Sequence, residues 1–359
     1  MAALAVLAAL PSLIAALPAS DASTSAADLR RAALGSADVA FTGYAQAAGG
    51  LALPVSDQLT DVANLLSDRT TMRAWYRGAA DWRVDVVSPT GETDVHGDAG
   101  GTWTWNYEAA TATRTAPSPL ALPTASDLLP SALGRRLLSE ATDAEVSRIG
   151  AERIAGRNGL GLRLVPAEAA SSVARTDVWV DAESGVPLRV KVFAKDAAGA
   201  KADAAMETGF LDLALSTPPP AVTAFSVPPG ADVREGQDAQ LLQAAERAGG
   251  RNASVLPGQL AGLERRSIAG APRGVGVYGR GITLLAVSAV PGQVAAGLRN
   301  ALVGAPGAVV DPLGVRIAAG PVGLMVAGGP GGAVLLAGTV GLDALAAAAT
   351  DLQAAGGAG

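Results

Sequence analysis

The sequence predicts a mainly β (α+β) protein, in which a curved antiparallel sheet with a helical lid precedes a smaller α+β unit. Apolar residues alternate with a period of two through much of residues 39–227, as they do on half-buried strands. The connections between successive runs are too short for crossover helices, which favours an antiparallel meander over βαβ units. Twelve of the 13 aromatic residues lie between Phe41 and Phe225, so the composition changes where a second unit would begin.

Composition excludes several classes of function. The 359 residues are enough for two or three domains, and they carry a net charge of −6. An acidic chain lacks the basic face that binds phosphates, so we expect no nucleic-acid partner. The absence of Cys excludes zinc ribbons, iron–sulfur sites, thiol nucleophiles and disulfides, and a single His excludes multi-His metal sites.

The N-terminus has the pattern of an export signal. Residues 1–17 are uncharged and mostly apolar, and small polar residues follow in 18–23. This order is typical of a secretory signal peptide over residues 1–22, although no Lys or Arg precedes the apolar run. A buried N-terminal helix and an uncleaved membrane anchor are the alternatives, and about 16 residues is short for a span that needs roughly 20.

The first unit, residues 25–233, is predicted to begin with a short helix and continue with strands. In residues 81–87, Trp82, Val84 and Val86 would share one face, while Arg83 and Asp85 would point the other way. The predicted helix is 25–37, and the predicted strands up to the lid are 39–45, 69–77, 81–87, 92–98 and 102–107.

The lid is predicted where prolines interrupt the alternation, from Pro117 to Arg148. Two short helices are expected there, over residues 126–138 and 142–149. Strands then resume, and a turn at 181–185 separates two of them. The predicted strands after the lid are 151–156, 160–166, 176–181, 187–195, 204–213 and 223–227.

A polar linker helix is predicted over residues 234–252, before a second α+β unit over 253–355. The uncharged stretch 320–340 resembles a membrane span in composition, but Pro321, Pro330 and the surrounding glycines favour two strands joined by a turn. The strands predicted for this unit are 283–290, 308–310, 314–319, 322–327 and 333–339, and a terminal helix is predicted over 341–353.

Candidate reaction chemistry is sparse. Asp94, His96 and Asp98 would share one face of a strand and could meet a metal ion, but a polar strand end entering a turn explains them more simply. Residues 274–279 match G-x-G-x-x-G without the helix or the later acidic residue of a dinucleotide site. Asp85, Glu92 and Glu108 are interpreted as solvated sheet positions. We therefore expect no catalytic residue, no metal and no cofactor, and thus no enzyme.

The aromatic strands are the strongest functional signal. On an ordinary sandwich their side chains would form a packed core, whereas in a curved sheet closed by a lid they would line an apolar cavity suited to an acyl chain. The residues predicted to line this cavity are Phe41, Trp75, Trp82, Val84, Val86, Trp103, Trp105, Trp179 and Phe193.

The first unit resembles the LolA-like lipoprotein carriers over residues 38–233. Residues 40–44 follow the family's "F-x-G" strand, 81–89 its "W/F-R-x-E/D…P" strand and 97–107 its "DG…W-x-Y" hairpin. Residues 177–189 are similar to the "vW-V-D…G-x-P-L-R" hairpin, and 225–231 to the closing "F-x-x-P-x-G-A".

The second unit resembles, more loosely, the C-terminal domain of RseB/MucB-type sigma-factor regulators. Residues 278–288 are similar to the "Y-x-x-G-L-x-x-x-S-V" strand of that family, and residues 333–340 to its "V-x-V-V-G-x-V-P/L" strand.

Together these resemblances imply a half-open antiparallel β-barrel with a helical lid that binds a lipid or acyl chain, with Arg77 as the nearest candidate for a lid contact. They imply an extracytoplasmic, non-enzymatic protein that docks on the extracytoplasmic domain of an anti-sigma factor and regulates an envelope-stress system. The alternative is a periplasmic-type lipid or lipoprotein carrier without a signalling role. A third class, a hydrolase built around Asp94, His96 and Asp98, stays open at this point.

Overall fold

The computed structural model describes residues 19–50, 69–88, 91–118, 120–121, 123–195, 203–236, 247, 256–272, 274–329 and 332–356. Residues 1–18 of the predicted signal peptide lie outside these ranges. The residues that follow are held by the first sheet, because the Ser20 amide donates to Asn158 Oδ1 and Arg148 pairs with Asp21. Within the described ranges, no helix is both long enough and apolar enough to cross a membrane.

The first unit is an open, curved sheet of twelve strands. The sheet order is β12-β6-β5-β4-β3-β2-β1-β11-β10-β9-β8-β7, and every neighbouring pair is antiparallel except β12 with β6. The first five strands form the predicted meander and β6, which the sequence did not predict, continues it; the ends of the sheet do not pair with each other, as expected of a half-open barrel. The strands are β1 Phe41–Gly49, β2 Arg69–Gly78, β3 Asp81–Ser88, β4 Gly91–Asp98, β5 Gly101–Asn106, β6 Thr111–Thr115, β7 Val146–Ile154, β8 Arg157–Leu164, β9 Val173–Asp181, β10 Pro187–Ala194, β11 Met206–Ala214 and β12 Asp232–Glu235.

Two helices cover one side of this sheet. Helix α1 is Ala26–Gly35, and its preceding Ser25 accepts a hydrogen bond from the Asp28 amide, a typical N-cap. A 3₁₀ turn at Ala125–Leu128 leads into α2, Pro130–Ser139, whose first residue is a proline that lacks the amide a helix leaves unpaired there. These helices confirm the predicted helix at 25–37 and the first predicted lid helix.

Two predicted elements of the first unit are wrong. Residues 142–149 are not a helix, because Thr142 and Glu145 bond across a single turn and the chain then enters β7 at Val146. Residues 223–227 are not a strand. Thr223 ends a four-residue helix, α3 at Pro220–Thr223, and residues 224–227 lie between prolines, which cannot donate to a sheet.

The predicted linker helix is replaced by a strand at its start, and most of the rest lies outside the described residues. Its first residues belong instead to β12, which pairs with β6 and forms one edge of the sheet. Its remainder falls largely on residues 237–246 and 248–252, outside the described ranges.

The second unit is a six-stranded antiparallel sheet with one helix on each side. Helix α4, Gly292–Val303, packs on Val315, Ile317 and Val326, while α5, Leu342–Gly356, packs on the side that carries Met325 and Ala327. Apolar side chains on both faces of β19 and β20 explain why residues 320–340 are uncharged. The sheet order is β15-β16-β20-β19-β18-β17, and the strands are β13 Gln259–Leu260, β14 Leu263–Glu264, β15 Val275–Arg280, β16 Thr283–Val290, β17 Val309–Asp311, β18 Gly314–Ala319, β19 Val322–Gly329 and β20 Gly332–Gly338.

The strands and terminal helix predicted for the second unit are confirmed to within a few residues, whereas α4 was not predicted from the sequence. The G-x-G-x-x-G match runs into the antiparallel hairpin of β15 and β16 instead of into a helix.

Candidate functional site

The twelve-stranded sheet has two chemically different faces. The inner face is defined as the side that packs against α1 and α2, and the outer face as the opposite side. Leu138 of α2 shares an apolar cluster with Val178 and Val190, which are cross-strand partners on β9 and β10. Directly paired residues of neighbouring strands project to the same side, so the register assigns every other strand residue to one face.

Four of the nine predicted cavity residues meet on the inner face. Phe41, Trp82, Val84 and Val86 belong to one apolar cluster, which also contains Tyr76. The Phe41 ring stacks on Tyr76 with centroids 5.1 Å apart. This group is the part of the predicted acyl site that the fold brings together.

The lid is closed on this apolar surface. Phe41 and Met72 are fully buried, and Leu128 and Leu129 of the lid join their cluster. The Thr208 hydroxyl donates to the Leu128 carbonyl at 2.7 Å, which fixes the start of the lid to β11. An acyl chain would therefore reach these residues only when the lid moves away from the sheet.

Three predicted cavity residues lie on the outer face. Trp75 is opposite Arg83 in the register, and its ring lies 5.3 Å from the Arg83 guanidinium carbon. Trp103 and Trp105 are directly opposite His96 and Asp94, which project to that same side. The sheet itself separates these indoles from the Phe41 group.

The last two predicted cavity residues also point away from the lid. Trp179 follows Val178, so strand alternation turns its ring to the outer face, where Lys191 Nζ lies 5.5 Å from the ring centroid. The Arg175 guanidinium carbon lies 3.7 Å from the Phe193 ring centroid. Both rings are buried and have a charged side chain over one face, and Trp179 also belongs to the apolar cluster that contains Phe41.

The outer face carries a buried charge network. Arg83 bonds Asp85 through two nitrogens, at 2.5 and 2.9 Å, and bonds Asp94 at 2.7 Å, while the Tyr107 hydroxyl donates to Asp94. Asp85 and Asp94 are each 2% exposed, so the interpretation of Asp85 as a solvated position is wrong. Burial raises the pKa of Asp85, and the Arg83 hydrogen bonds oppose that shift.

The predicted trio of Asp94, His96 and Asp98 does not converge on one point. Asp94 bonds Arg83, the exposed Asp98 bonds Arg114 at 3.0 and 3.1 Å, and His96 Nδ1 lies 2.8 Å from the Thr223 carbonyl oxygen. His96 is buried, and burial lowers its pKa. The three side chains therefore hold separate parts of the outer face together.

Another set of three carboxylates lies closer together, as ligands of a metal ion would. Asp85, Glu92 and Asp94 each place a carboxylate oxygen within 4.8 Å of the other two. Arg83 already bonds both aspartates, so this group is an ion-pair cluster in which the guanidinium takes the place a cation would need.

A strap, residues 215–231, crosses the outer face. The Phe225 ring lies 5.4 Å from the Trp103 ring and 5.0 Å from the His96 ring. Arg77 bonds Asp81 and donates to the Pro218 carbonyl of this strap. In the part of the chain that the structure describes, the hydrogen bonds of Arg77 are therefore to Asp81 and the strap, and its predicted contact with the lid stays a prediction.

One residue of the lid was missed by the sequence analysis. Arg135 of α2 has its guanidinium carbon 5.6 Å from the Tyr76 ring centroid, on the inner side. Its Nη1 atom is buried and has no hydrogen-bond partner among the residues that the structure describes. The spacing of Ser131, Arg135 and Leu138 on the predicted helix would have placed a charge on the buried stripe.

The two units meet directly below the lid. Glu140, which ends α2, pairs with Arg266, and Glu145 pairs with Arg280 at 3.0 Å. Arg280 also contacts Glu168 at 2.8 Å. Burial works to raise the pKa of Glu145, but Arg280 and the amides of Thr142 and Ala167 bring it down to about 2.

Neither a comparison with protein-family models nor a comparison with curated proteins finds a match. Solved structures do match. A chain of the Pseudomonas aeruginosa MucA/MucB complex is 16% identical, with a TM-score of 0.51, over 90% of this chain and 96% of that chain. MucB in complex with MucA(peri) is also 16% identical, with a TM-score of 0.49, over 90% and 97%. A LolA superfamily protein from Nitrosomonas europaea is 11% identical, with a TM-score of 0.28, over 56% and 99%.

The first of these matches spans both units of the chain. This protein therefore has the fold of the MucA/MucB complex chain, in agreement with the fold that the sequence motifs predict.

Proposed function

We propose that this protein is an extracytoplasmic, non-enzymatic binding protein that holds the acyl chain of a lipid or acylated ligand between its inner face and the lid. In this proposal, ligand occupancy regulates docking on the extracytoplasmic domain of an anti-sigma factor. The observation that carries the proposal is the fold shared across both units with a chain of the MucA/MucB complex.

The inner face has suitable chemistry for an acyl chain. Its central cluster is apolar, and the residues that would form the chain's walls include Phe41, Trp82, Val84 and Val86. Each buried methylene contributes about 0.8 kcal/mol, so a chain of roughly 14 to 16 carbons would gain on the order of 10 kcal/mol before costs. Displacing the closed lid and ordering the chain reduce that gain.

The lid is also connected to the second unit. Helix α2 ends at Ser139, and the next residue, Glu140, accepts hydrogen bonds from Arg266 and from the Gly281 amide. A ligand that moves α2 would disturb these contacts, so the ligand-bound and ligand-free states would present different interfaces to a partner. Such a difference is what linkage between two binding events requires.

Native mass spectrometry of the full chain, purified from its own cell envelope, tests ligand binding directly. We expect a co-purified mass that fits an acyl-bearing molecule, and saturable binding of a fluorescent acyl probe by the delipidated protein. Absence of both would overturn the proposal.

The regulatory part is tested by calorimetry with the full chain. Purified extracytoplasmic domains of the host's anti-sigma factors are titrated into acyl-loaded and delipidated protein. We expect one domain to bind and its affinity to differ between the two forms. Acyl binding without any anti-sigma binding would favour the carrier alternative.

A further inference from the structure

We infer that Arg135 is the group that binds the anionic head, a carboxylate or a phosphate, of an acyl ligand held under the lid. The inference rests on the proposed function and narrows its ligands to anionic ones. The observation behind it is a buried guanidinium nitrogen that has no hydrogen-bond partner in the described ranges and lies on the lid side of the apolar surface.

Arg135 lies on the stripe of α2 that faces the sheet. Ser131, Gly134 and Leu138 are buried. Arg135 lies four residues after Ser131 and three residues before Leu138, so it is on the same face of the helix as these two. The Tyr76 ring beneath it belongs to the same cluster as Phe41. A head group bound at Arg135 would therefore leave its chain over the apolar inner face.

The other charged neighbours do not neutralise Arg135. No carboxylate in the described part of the chain lies within ion-pair distance of it, although the exposed Asp38 acts on it from farther away. Burial lowers the pKa of Arg135, but an arginine remains charged in proteins. A partly desolvated charge without a partner is unfavourable, and an incoming anion would remove that penalty.

Two other arginines on the lid side, Arg30 and Arg136, differ from Arg135 in their partners or their exposure. Arg30 of α1 donates to the carbonyls of Leu138 and Ser139, and Arg136 is largely exposed with Asp127 at 4.0 Å. The planar guanidinium offers paired donors that match the oxygens of a carboxylate or a phosphate. Arg135 combines this chemistry with contact to the inner face.

The test compares charged and uncharged ligands with the same chain. Delipidated full-length protein is titrated with fluorescent parinaric acid and with its methyl ester, and lysophosphatidate and monoacylglycerol with the same acyl chain compete for the probe. We expect the protein to bind at least one anionic ligand about tenfold or more tightly than its neutral counterpart, since hydrogen bonds to charged groups are the stronger ones. The pair with the larger preference identifies a carboxylate or a phosphate as the head.

Variants test whether Arg135 causes the preference for anionic over neutral ligands. Arg135→Gln should bring the preference below about threefold while leaving the neutral ligand's affinity unchanged, and Arg135→Lys should retain part of it. Arg136→Gln, the adjacent exposed arginine, should behave as the unchanged protein does.

The outcomes separate the two claims. If neither charged nor neutral acyl ligands bind, the proposed function fails. If both kinds bind with equal affinity to the unchanged protein, acyl binding stands and the role of Arg135 is overturned. This second comparison needs no variant, so it holds even where Arg135→Gln fails to fold.

Discussion

Arg83, Asp85 and Asp94 form an ion-pair network on the outer face, in which both aspartates are buried. Asp85 and Asp94 face each other across β3 and β4, and Arg83 bonds both of them. Sequence patterning placed Arg83 and Asp85 on the side opposite Trp82, which the register confirms. It could not foresee their burial, because alternation does not show what covers a face, and the strap on this face comes from residues more than a hundred positions later.

Removing the guanidinium from this pair of carboxylates should be costly. We expect Arg83→Gln to lower the free energy of unfolding by about 3–5 kcal/mol, because two buried carboxylates would lose their shared counter-charge. The loss should shrink at acidic pH, since protonation of Asp85 removes one of the two charges. Urea unfolding measures both effects.

Arg114→Gln is the matched control for that measurement. Arg114 pairs with the exposed Asp98, so its loss should cost at most about 1 kcal/mol. Equal losses in the two variants would contradict the buried-network interpretation.

At the level of elements, the lid helix α2 packs closely against the sheet at Gly134. A side chain added at Gly134 would place its Cβ 2.6 Å from the Pro187 Cβ. The helical pattern of residues 126–138 predicted the helix correctly, but this close crossing depends on β10, which the local sequence does not contain.

Two helix glycines should therefore respond in opposite directions to the same substitution. Gly134→Ala should destabilise the protein by about 1–3 kcal/mol, because the new methyl group collides with Pro187. Gly297→Ala in α4, where the space around the Cβ is open, should stabilise it by about 0.5–1 kcal/mol through helix propensity.

Thermal or urea unfolding of both variants checks the pair. Stabilisation by Gly134→Ala would show that α2 does not press on β10.

At the level of the whole molecule, the two units are joined by backbone pairing as well as charge. Ser171 forms a β-bridge with Val340, and Ile282 of the second unit packs among apolar residues of the first. Glu145 contributes at this junction, since it bonds Arg280 and two backbone amides of its own unit.

Glu145 makes the stability of the protein dependent on pH. Its pKa in the folded protein is about 2, below the ordinary 4.5. A lowered carboxyl pKa stabilises the fold above pH 4.5, and that stabilisation is lost as the pH falls from about 4.5 towards 2. We expect the loss to be on the order of 3 kcal/mol over that window.

Urea unfolding between pH 7 and pH 2.5 measures this contribution. Glu145→Gln should be less stable than the unchanged protein at pH 7, and its stability should fall less on acidification. Glu183→Gln, which removes an exposed partner of Arg157, should leave the pH profile unchanged. Parallel profiles for Glu145→Gln and the unchanged protein would contradict the assignment.

The period of the apolar pattern was enough to predict most of the strands, the meander of β1 to β5 and the terminal helix of the second unit, but not β6, β12 or α4. These properties are local, because strand alternation and short connections follow from neighbouring residues. Alternation also shows which residues share a face, but not which face the helices will cover. Packing between distant segments determined which face the helices cover. It placed Phe41 and Trp82 on the inner face beneath the lid, and Trp75, Trp103 and Trp105 on the outer face. The same long-range packing buried Asp85, brought Arg77 to the strap and left the Nη1 atom of Arg135 without a hydrogen-bond partner among the described residues.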